Sequence, residues 1–471
     1  MFKKPAWQSG IASVIIALLI AQYKMHYAFD YNNISNIFKS SIILSLSAFI
    51  VILPGLYLNN ILTNNKTIDG IVNLVSSFKI SNEIKIILLL LGILPALESM
   101  TGFGVSLFIG IPIFFRMFEN TKAFKLSVLG MSTMPWGTLG LSLIIGSKLS
   151  GYDLNSLAKH SAIFSITIFP TIGLIGLFVI GGLETLRKFS LVAILSGLFL
   201  GAMLYMMASI NMVEISGVVA GLSVAVILGL FFKQKSETIV NTNKPKSIKL
   251  LYPYLLILGL ICICKFITPL NNFLHNLLIL KSNNISFSVF NSPGIILAIV
   301  VVILRITHQT RLNHKMIIKR GYISGLSLFI FILISQIMNQ SGIINNMVEI
   351  ILGINNHYLI ILIMPFLALT TGFITGSAVS SNALLIQIQQ QIGNNIGGGL
   401  IFAAMQNSAG GHAAMFSLSI IIMINMIARD YIKQDNGQKI NYESILLKFN
   451  IKCICLIYLI LVSSLFIQYY F

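Results

Sequence analysis

The sequence predicts an all-α polytopic membrane protein, and composition and run length support this fold class. Of the 471 residues, 56% are hydrophobic and only 9% are charged, and the mean hydropathy is +0.90. A soluble domain does not bury that much apolar surface. Apolar runs of about the length that an α-helix needs to cross a bilayer recur along the whole chain. We therefore expect one membrane unit rather than several globular domains.

Eleven apolar runs separated by polar residues are candidate spans, with errors of about 2–4 residues at each boundary. They cover residues 11–29, 41–61, 126–147, 160–183, 189–208, 213–232, 250–272, 291–306, 322–340, 398–428 and 448–468. The first run lacks a convincing small-residue cleavage site, which predicts a retained span. Residues 62–82 are of mixed character and favour the membrane interface.

The formal charge of +18 comes from Lys and Arg in short loops between apolar runs. This pattern is typical of cytoplasmic loops that meet anionic lipid, so it argues against nucleic acid as a partner. It predicts a cytoplasmic N-terminus and a C-terminus outside. The basic loops are Lys3–Lys4, Arg116–Lys125, Arg187–Lys188, Lys233–Lys249, Arg305–Arg320 and Arg429–Lys439.

Two apolar regions, 83–118 and 358–391, are interrupted by Gly, Ser and Thr. If all the basic loops are cytoplasmic, the number of membrane crossings between them requires each region to enter and leave the membrane on the same side. The first region does so from the cytoplasm and the second from outside. Hairpins of opposite orientation predict an inverted repeat, made of residues 1–232 and 250–471 with a cytoplasmic linker at 233–249.

A weak internal similarity supports the repeat. Pro95–Phe103 (P-A-L-E-S-M-T-G-F) and Pro365–Phe373 (P-F-L-A-L-T-T-G-F) share Pro, Leu and T-G-F in register. Each hairpin is followed by a span with a polar break, at Ser132–Gly137 and at Gln406–His412.

Broken helices leave unpaired N–H groups and positive dipole ends, which can hold an anion without a lysine. We expect four turns to meet near the bilayer midplane and to form the substrate site. The residues expected to bind substrate are Thr101, Gly102, Gly104, Thr133, Ser377, Ser380, Ser381, Asn382, Asn407, Ser408 and Gly410.

Two titratable residues are candidates for proton coupling. Glu98 is the only carboxylate deep in an apolar stretch with broken backbone around it, which favours a proton carrier. The alternative is a structural acid bonded to unpaired N–H groups. His412 relays a proton or binds an anion, or else bonds a backbone carbonyl.

Glu214 and Glu349 lie near span ends, where we expect an acidic side chain to lie at the membrane interface. Trp136 either closes the substrate site or only packs against neighbouring side chains.

Other chemistry has little support. The four cysteines form two C-x-C pairs inside apolar runs, a spacing that favours packing over metal binding. No Walker loop, G-x-S-x-G elbow or H-E-x-x-H motif occurs. We therefore expect no enzyme activity, no metal and no cofactor.

The site motifs resemble those of the L-lactate permease family of bacterial inner-membrane carriers. Glu98–Val105 (E-S-M-T-G-F-G-V) is similar to its E-G-A-[AS]-G-F-G-T, and Ser132–Gly140 to its N-T-A-P-V-A-F-G-A-[LI]-G, with a gap. Thr375–Leu384 (T-G-S-A-V-S-S-N-A-L) is similar to T-G-S-D-T-S-S-N-A-L, and Asn407–Gly411 (N-S-A-G-G) to N-T-S-G-G. The resemblance implies proton symport of a small organic anion, a 2-hydroxy monocarboxylate such as L-lactate or glycolate. We expect a monomer or homodimer.

The sequence departs from that pattern at two charges. Ala378 replaces the family's Asp, and Met415 stands near the place of its Lys. Loss of both is expected if the two charges pair, because either one alone would be a buried unpaired charge. Two alternatives remain open: a Na⁺-coupled organic anion carrier of the same fold, and a non-transporting homologue that acts as a sensor or assembly partner.

Overall fold

The computed structural model describes residues 6–23, 31–102, 104–132, 134–232, 247–282, 285–308, 310, 312–433 and 440–470. In this part of the chain, eight helices are long and apolar enough to cross a membrane, or nine if one bent pair counts as a span. The all-α polytopic fold is thus confirmed. Several predicted features lie outside the described residues: Thr133, the basic loop Lys3–Lys4, residues 24–29 of the first span, residues 233–246 of the linker and residues 434–439 of the last basic loop.

The described part of the first half contains helices and the turns that connect them. Its helices are α1 (Ala6–Tyr23), α2 (Tyr31–Asn64), α3 (Thr67–Ser76), α4 (Asn82–Leu88), α5 (Leu94–Thr101), α6 (Val105–Met117), α7 (Asn120–Ser132), α8 (Leu141–Ser150), α9 (Leu154–Ser209) and α10 (Val213–Phe232). A π-helical turn joins α4 to α5 at Leu89–Ile93, and a 3₁₀ turn, Thr138–Gly140, precedes α8.

The second half adds a small antiparallel sheet near its start. Its elements are α11 (Ser247–Phe266), α12 (Thr268–Leu277), β1 (Ile279–Ser282), β2 (Ile285–Ser288), α13 (Pro293–His308), α14 (His314–Gln340), α15 (Ile343–Leu352), α16 (His357–Thr375), α17 (Ala378–Ile396), α18 (Gly399–Ala414), α19 (Leu418–Ala428) and α20 (Tyr442–Tyr470). Helices α11 and α12 meet at a bend of 92°.

Helix α9 contains two predicted spans, because its backbone turns at Gly181 and Gly182 (φ 62°, ψ −145°). Beyond the turn, Gly197 lies against the backbone of Pro170. Farther along, Gly201 lies against Ile166. The two arms are therefore antiparallel, and the missing side chains let them approach closely.

The predicted region 83–118 folds back on itself. A Cβ at Gly110 in α6 would lie 3.2 Å from Leu94 Cδ1 in α5, so α6 returns along α5. The helix ends because Gly102 (φ 63°, ψ −160°) and Gly104 (φ 80°) have backbone conformations that L-residues rarely adopt. We call this element, α4–α6, hairpin 1.

The predicted region 358–391 also folds back, as α16 and α17. Gln389 Nε2 donates to the Met364 carbonyl at 3.0 Å, and the hydroxyls of Thr371 and Ser381 are 3.0 Å apart. Gly376 (φ 62°) makes the turn, and Ser377 Oγ accepts from the Ser380 N–H to cap α17. We call this element hairpin 2.

The bases of the two hairpins lie beside different loops. At the end of hairpin 1, Lys433 Nζ donates to the Phe118 carbonyl at 2.9 Å. At the end of hairpin 2, Tyr152 Oη donates to Asn394 Oδ1 at 2.7 Å. Lys433 belongs to a basic loop, so hairpin 1 has its base on the side that the charge pattern predicts as cytoplasmic.

The order of elements repeats along the chain. In each half, a long helix, a left-handed residue, a short helix, a hairpin, a broken helix and a further long helix follow one another. The left-handed residues are Lys66 (φ 55°) between α2 and α3 and Gly342 (φ 78°) between α14 and α15. Helices α2 and α14, which occupy the same place in this order, pack against each other. The inversion of one half relative to the other stays a prediction.

Candidate functional site

Glu98 lies one turn before the tip of hairpin 1 and is only 4% exposed. Its Oε1 accepts from the Gly104 N–H at 3.2 Å. Its Oε2 accepts from the Ser106 N–H at 3.2 Å and from Ser106 Oγ at 2.7 Å. The carboxylate therefore ties the end of α5 to the beginning of α6 across the break.

This geometry follows from the broken backbone. The first N–H groups of α6 have no intrahelical acceptor, and the positive end of a helix attracts a carboxylate. Bonds to a charged acceptor are also stronger than bonds between neutral groups. The arrangement matches the structural role that the sequence left open for Glu98. A proton on its carboxylate would weaken these bonds and so alter the contact between the end of α5 and the beginning of α6.

The other predicted residues of hairpin 1 lie at its tip, where Gly102 and Gly104 contact the 3₁₀ turn and α19. Thr101 Oγ1 donates to the Leu97 carbonyl of its own helix at 2.7 Å. A side chain at Gly102 would collide with the Thr138 hydroxyl. One at Gly104 would lie 2.8 Å from Met423 Cε. The tip is thus closely covered, and Gly102 and Gly104 are needed for space as well as for conformation.

A polar network joins hairpin 2, α8 and α18. Asn382 Nδ2 donates to the Ser142 carbonyl at 2.9 Å and to Asn407 Oδ1 at 2.8 Å. Ser142 Oγ donates to the same Asn407 oxygen at 2.6 Å. All three residues are fully buried. Since Ser142 lies in the first half of the chain, the network ties the two halves together.

The network extends to both sides of Asn407. On one side, Gln406 Nε2 donates to Ser381 Oγ at 3.0 Å. On the other, the hydroxyls of Ser165 and Ser408 are 2.9 Å apart, and His412 Nε2 lies 3.3 Å from Ser165 Oγ. Buried polar groups are stable only when hydrogen-bonded, so these bonds fix the side chains in a single arrangement.

The predicted break at Gln406–His412 is wrong, because α18 continues through this segment to Ala414. The break lies further on, at Met415–Ser417, where Ser417 Oγ accepts from the Ile420 N–H and caps α19. The glycines serve close packing instead. A Cβ at Gly411 would collide with the Pro135 carbonyl, and one at Gly410 with Ser381 Oγ.

Both hairpin tips approach the same two elements. Helix α19 contacts hairpin 1 through Met423 and hairpin 2 through Ser419, which lies against Gly376. The segment 134–142 contacts hairpin 1 through Thr138 and hairpin 2 through Ser142. The tips therefore converge on one region, as the sequence predicted.

Four helices begin in this region. They are α6, α8, α17 and α19, whose N-cap residues are Gly104, Gly140, Ser377 and Ser417. Each helix N-terminus carries a partial positive charge. That of α6 already binds Glu98, which leaves three to act on a ligand.

The residues missed by the sequence analysis are mainly partners of the predicted ones. Ser142, Ser161, Ser165, Gln389 and Gln406 are all buried and belong to the network or lie beside it. A run of small polar residues on one face of an apolar helix was the available signal, for example Ser161 and Ser165 one turn apart. Their partners could not be read from the sequence.

Three other candidates have clear places. Trp136 is 1% exposed, and its Nε1 has no hydrogen-bond partner among the described atoms. Glu349 is exposed. We expect Glu214 at the membrane interface, but it is only 6% exposed and forms an ion pair with Lys265.

Residues 273–471 match the family model described as L-lactate permease. The resemblance to that family is confirmed. The match includes hairpin 2, α18 and α19, whereas Glu98 and the rest of hairpin 1 lie before it. No curated protein matches the chain. With eight candidate spans in its described part, the chain is a multi-pass membrane protein, and its residues 273–471 are similar to a family of permeases.

Proposed function

We propose that the protein is a secondary active transporter that moves a small organic anion together with protons. The substrate is a 2-hydroxy monocarboxylate, such as L-lactate or glycolate. The family match supports the substrate class. The observation that carries the mechanism is the convergence of both hairpin tips on α19 and the segment 134–142.

The anion binds among the helix N-termini and the polar network around Asn382 and Asn407. The network offers amides and hydroxyls but no carboxylate of its own, so it does not repel an anion. Asn382 Oδ1 is buried and has no partner among the described atoms, which leaves an acceptor for a substrate hydroxyl. Thr101, Ser377, Ser380 and Ser408 complete the shell.

Glu98 carries the proton in this proposal. A proton on Oε2 would remove an acceptor of the Ser106 N–H, and one on Oε1 would remove that of the Gly104 N–H. Either change weakens the link between the end of α5 and the beginning of α6, because one of the two backbone bonds is lost and the other is no longer made to a charged acceptor. Proton binding thus loosens the tip of hairpin 1, and His412 passes protons along the Ser165 side of the network.

The wider arrangement belongs to the same proposal. Residues 1–232 and 250–471 form an inverted repeat, the hairpins move against the scaffold of α2 and α14, and the site opens to each side in turn. The protein lies in a bacterial inner membrane, with its N-terminus in the cytoplasm and its C-terminus outside, as a monomer or homodimer.

Uptake into proteoliposomes tests the proposal. In sodium-free buffer, a pH gradient that is acidic outside should accumulate labelled lactate or glycolate, and Glu98→Gln should abolish accumulation while sparing exchange. Accumulation that needs Na⁺ and ignores the pH gradient would replace protons by sodium. Absence of counterflow with any small acid would refute transport and favour a sensor or assembly role.

A further inference from the structure

An ion pair between a buried acid and a half-buried lysine lies outside the network described above. Glu214 Oε1 is 2.7 Å from Lys265 Nζ, and the two side chains are 8% and 25% exposed. Glu214 is in the first turn of α10 and Lys265 in the last turn of α11. The residues are separated by the linker segment in the sequence, so the contact is a tertiary one.

The packing of α10 places this pair beside the tip of hairpin 1. Helix α10 is antiparallel to α5, because Gly221 packs against Ala96 and Gly217 packs against the Ser99 hydroxyl. Glu214 lies one turn beyond Gly217 on the same face, which brings it level with the hairpin turn.

The neighbouring contacts agree with this position. A Cβ at Gly140, in the 3₁₀ turn before α8, would lie 3.2 Å from Cγ1 of Val213, the residue next to Glu214 in the chain. Helix α10 packs mainly against α9, α5, the π-helical turn and the 3₁₀ turn, whereas α11 packs mainly against α13 and α12. The ion pair therefore bridges two helices that have other principal partners, and Lys265 reaches it from the surface.

The pair has hydrogen-bonding capacity left over. Glu214 Oε2 is buried and has no partner among the described atoms. A lysine ammonium has three N–H donors, and one of them is directed at Glu214 Oε1. An open acceptor thus lies next to a cation with donors to spare.

We propose that Glu214 and Lys265 form a selectivity subsite, separate from the network around Asn382 and Asn407, that binds the head group of a 2-hydroxy monocarboxylate before it reaches that network. Lys265 Nζ donates to the substrate carboxylate, and Glu214 Oε2 accepts a hydrogen bond from the 2-hydroxyl. This inference rests on the proposed function and names the residues that select its substrate. A 2-oxo acid has no hydroxyl proton, and its keto oxygen would face the carboxylate oxygen, so the pair binds it more weakly than the 2-hydroxy acid.

Counterflow into proteoliposomes with L-lactate and pyruvate tests the assignment. The native protein should show a KM for lactate at least about tenfold lower than for pyruvate, since a site built to bond a hydroxyl rejects an analogue without one. Glu214→Gln should reduce that ratio about tenfold or more, because an amide N–H can donate to the keto oxygen. Lys265→Met should raise both KM values about 10- to 100-fold and leave their ratio unchanged.

The exposed ion pair of Glu184 and Lys188, at 2.8 Å, supplies matched controls. Glu184→Gln and Lys188→Met should change neither KM value. Lys265→Arg keeps the cation and should restore lactate transport. An unchanged lactate-to-pyruvate ratio in Glu214→Gln, or an unchanged lactate KM in Lys265→Met, would overturn the assignment.

Two further measurements separate folding and function from binding. If either single variant fails to fold, the double variant Glu214→Gln/Lys265→Met, which leaves no unpaired charge, is assayed in its place and should lose the selectivity. If the native protein shows no counterflow, the proposed function fails. Thermal stabilisation of the native protein by lactate but not pyruvate, lost in the double variant, would still support the site, and its absence would refute it.

Discussion

The hydrogen bonds of Glu98 make the stability of the hairpin 1 tip measurable. In Glu98→Gln, one carboxylate oxygen becomes an NH₂ group. The amide can keep one acceptor for either the Gly104 or the Ser106 N–H, and Ser106 Oγ can rotate to accept from the new donor. One backbone N–H is then left unsatisfied, and the remaining bonds lose their charged acceptor.

The magnitude follows from these changes. An unsatisfied buried N–H costs about 1–3 kcal/mol, and a hydrogen bond to a charged group contributes about 1 kcal/mol more than a neutral one. We expect the free energy of local opening at residues 98–107 to fall by about 2–4 kcal/mol. Since 1.36 kcal/mol is a factor of ten, amide exchange there should accelerate about 30- to 1,000-fold.

Hydrogen–deuterium exchange with mass spectrometry of the purified protein measures this change. Peptides covering residues 98–107 should lose protection, while peptides of α20 should not. Ser106→Ala removes one hydroxyl donor and keeps both backbone bonds, so its effect should be smaller. Glu184→Gln, at an exposed acid, should have none. Equal protection at the tip in Glu98→Gln and in the native protein would refute the capping role of the carboxylate.

Three further substitutions probe the packing and the network. Asn407→Ala leaves buried donors of α8 and α17 without an acceptor, so thermal unfolding should show a loss of about 2–4 kcal/mol and lactate uptake should fall; unchanged uptake and melting would argue against the network. Gly411→Ala drives a Cβ into the Pro135 carbonyl and should lower the unfolding temperature, whereas Gly229→Ala, where a Cβ meets open space, should not; equal effects would contradict the packing. Gly182→Ala should cost about 1–2 kcal/mol through its left-handed φ alone, measured by the same melting assay; a stabilising effect would contradict the turn between the arms of α9.

The sequence identified the elements whose cause is local. Loop charge predicted that both interrupted regions fold back, and Gly102, Gly104 and Gly376 marked the turns because only glycine adopts their conformations easily. The polar residues of T-G-S-x-x-S-S-N-A-L were recognised as a cluster, and the structure brings Ser381 and Asn382 together with Gln406 and Asn407.

The features that depend on tertiary partners were harder to foresee. Two glycines in a row in Gly410–Gly411 indicated a break, yet Pro135 lies where a side chain would be, so the glycines permit close packing of an intact helix. Glu214 near a span end indicated the interface, yet Lys265 meets it from another helix. Periodicity cannot distinguish these cases, because each depends on a residue far away in the chain.

The hydrogen bonds that Ser142 forms with Asn382 and Asn407 have a consequence for assembly. The Ser142 carbonyl and hydroxyl of the first half bond the buried amides of Asn382 and Asn407 in the second half, so each half satisfies buried polar groups of the other. Neither half produced by itself would find those partners, so a polypeptide ending in the linker region should be unstable in the membrane and should be degraded. Two separately encoded halves, made in the same cell, should instead rescue one another.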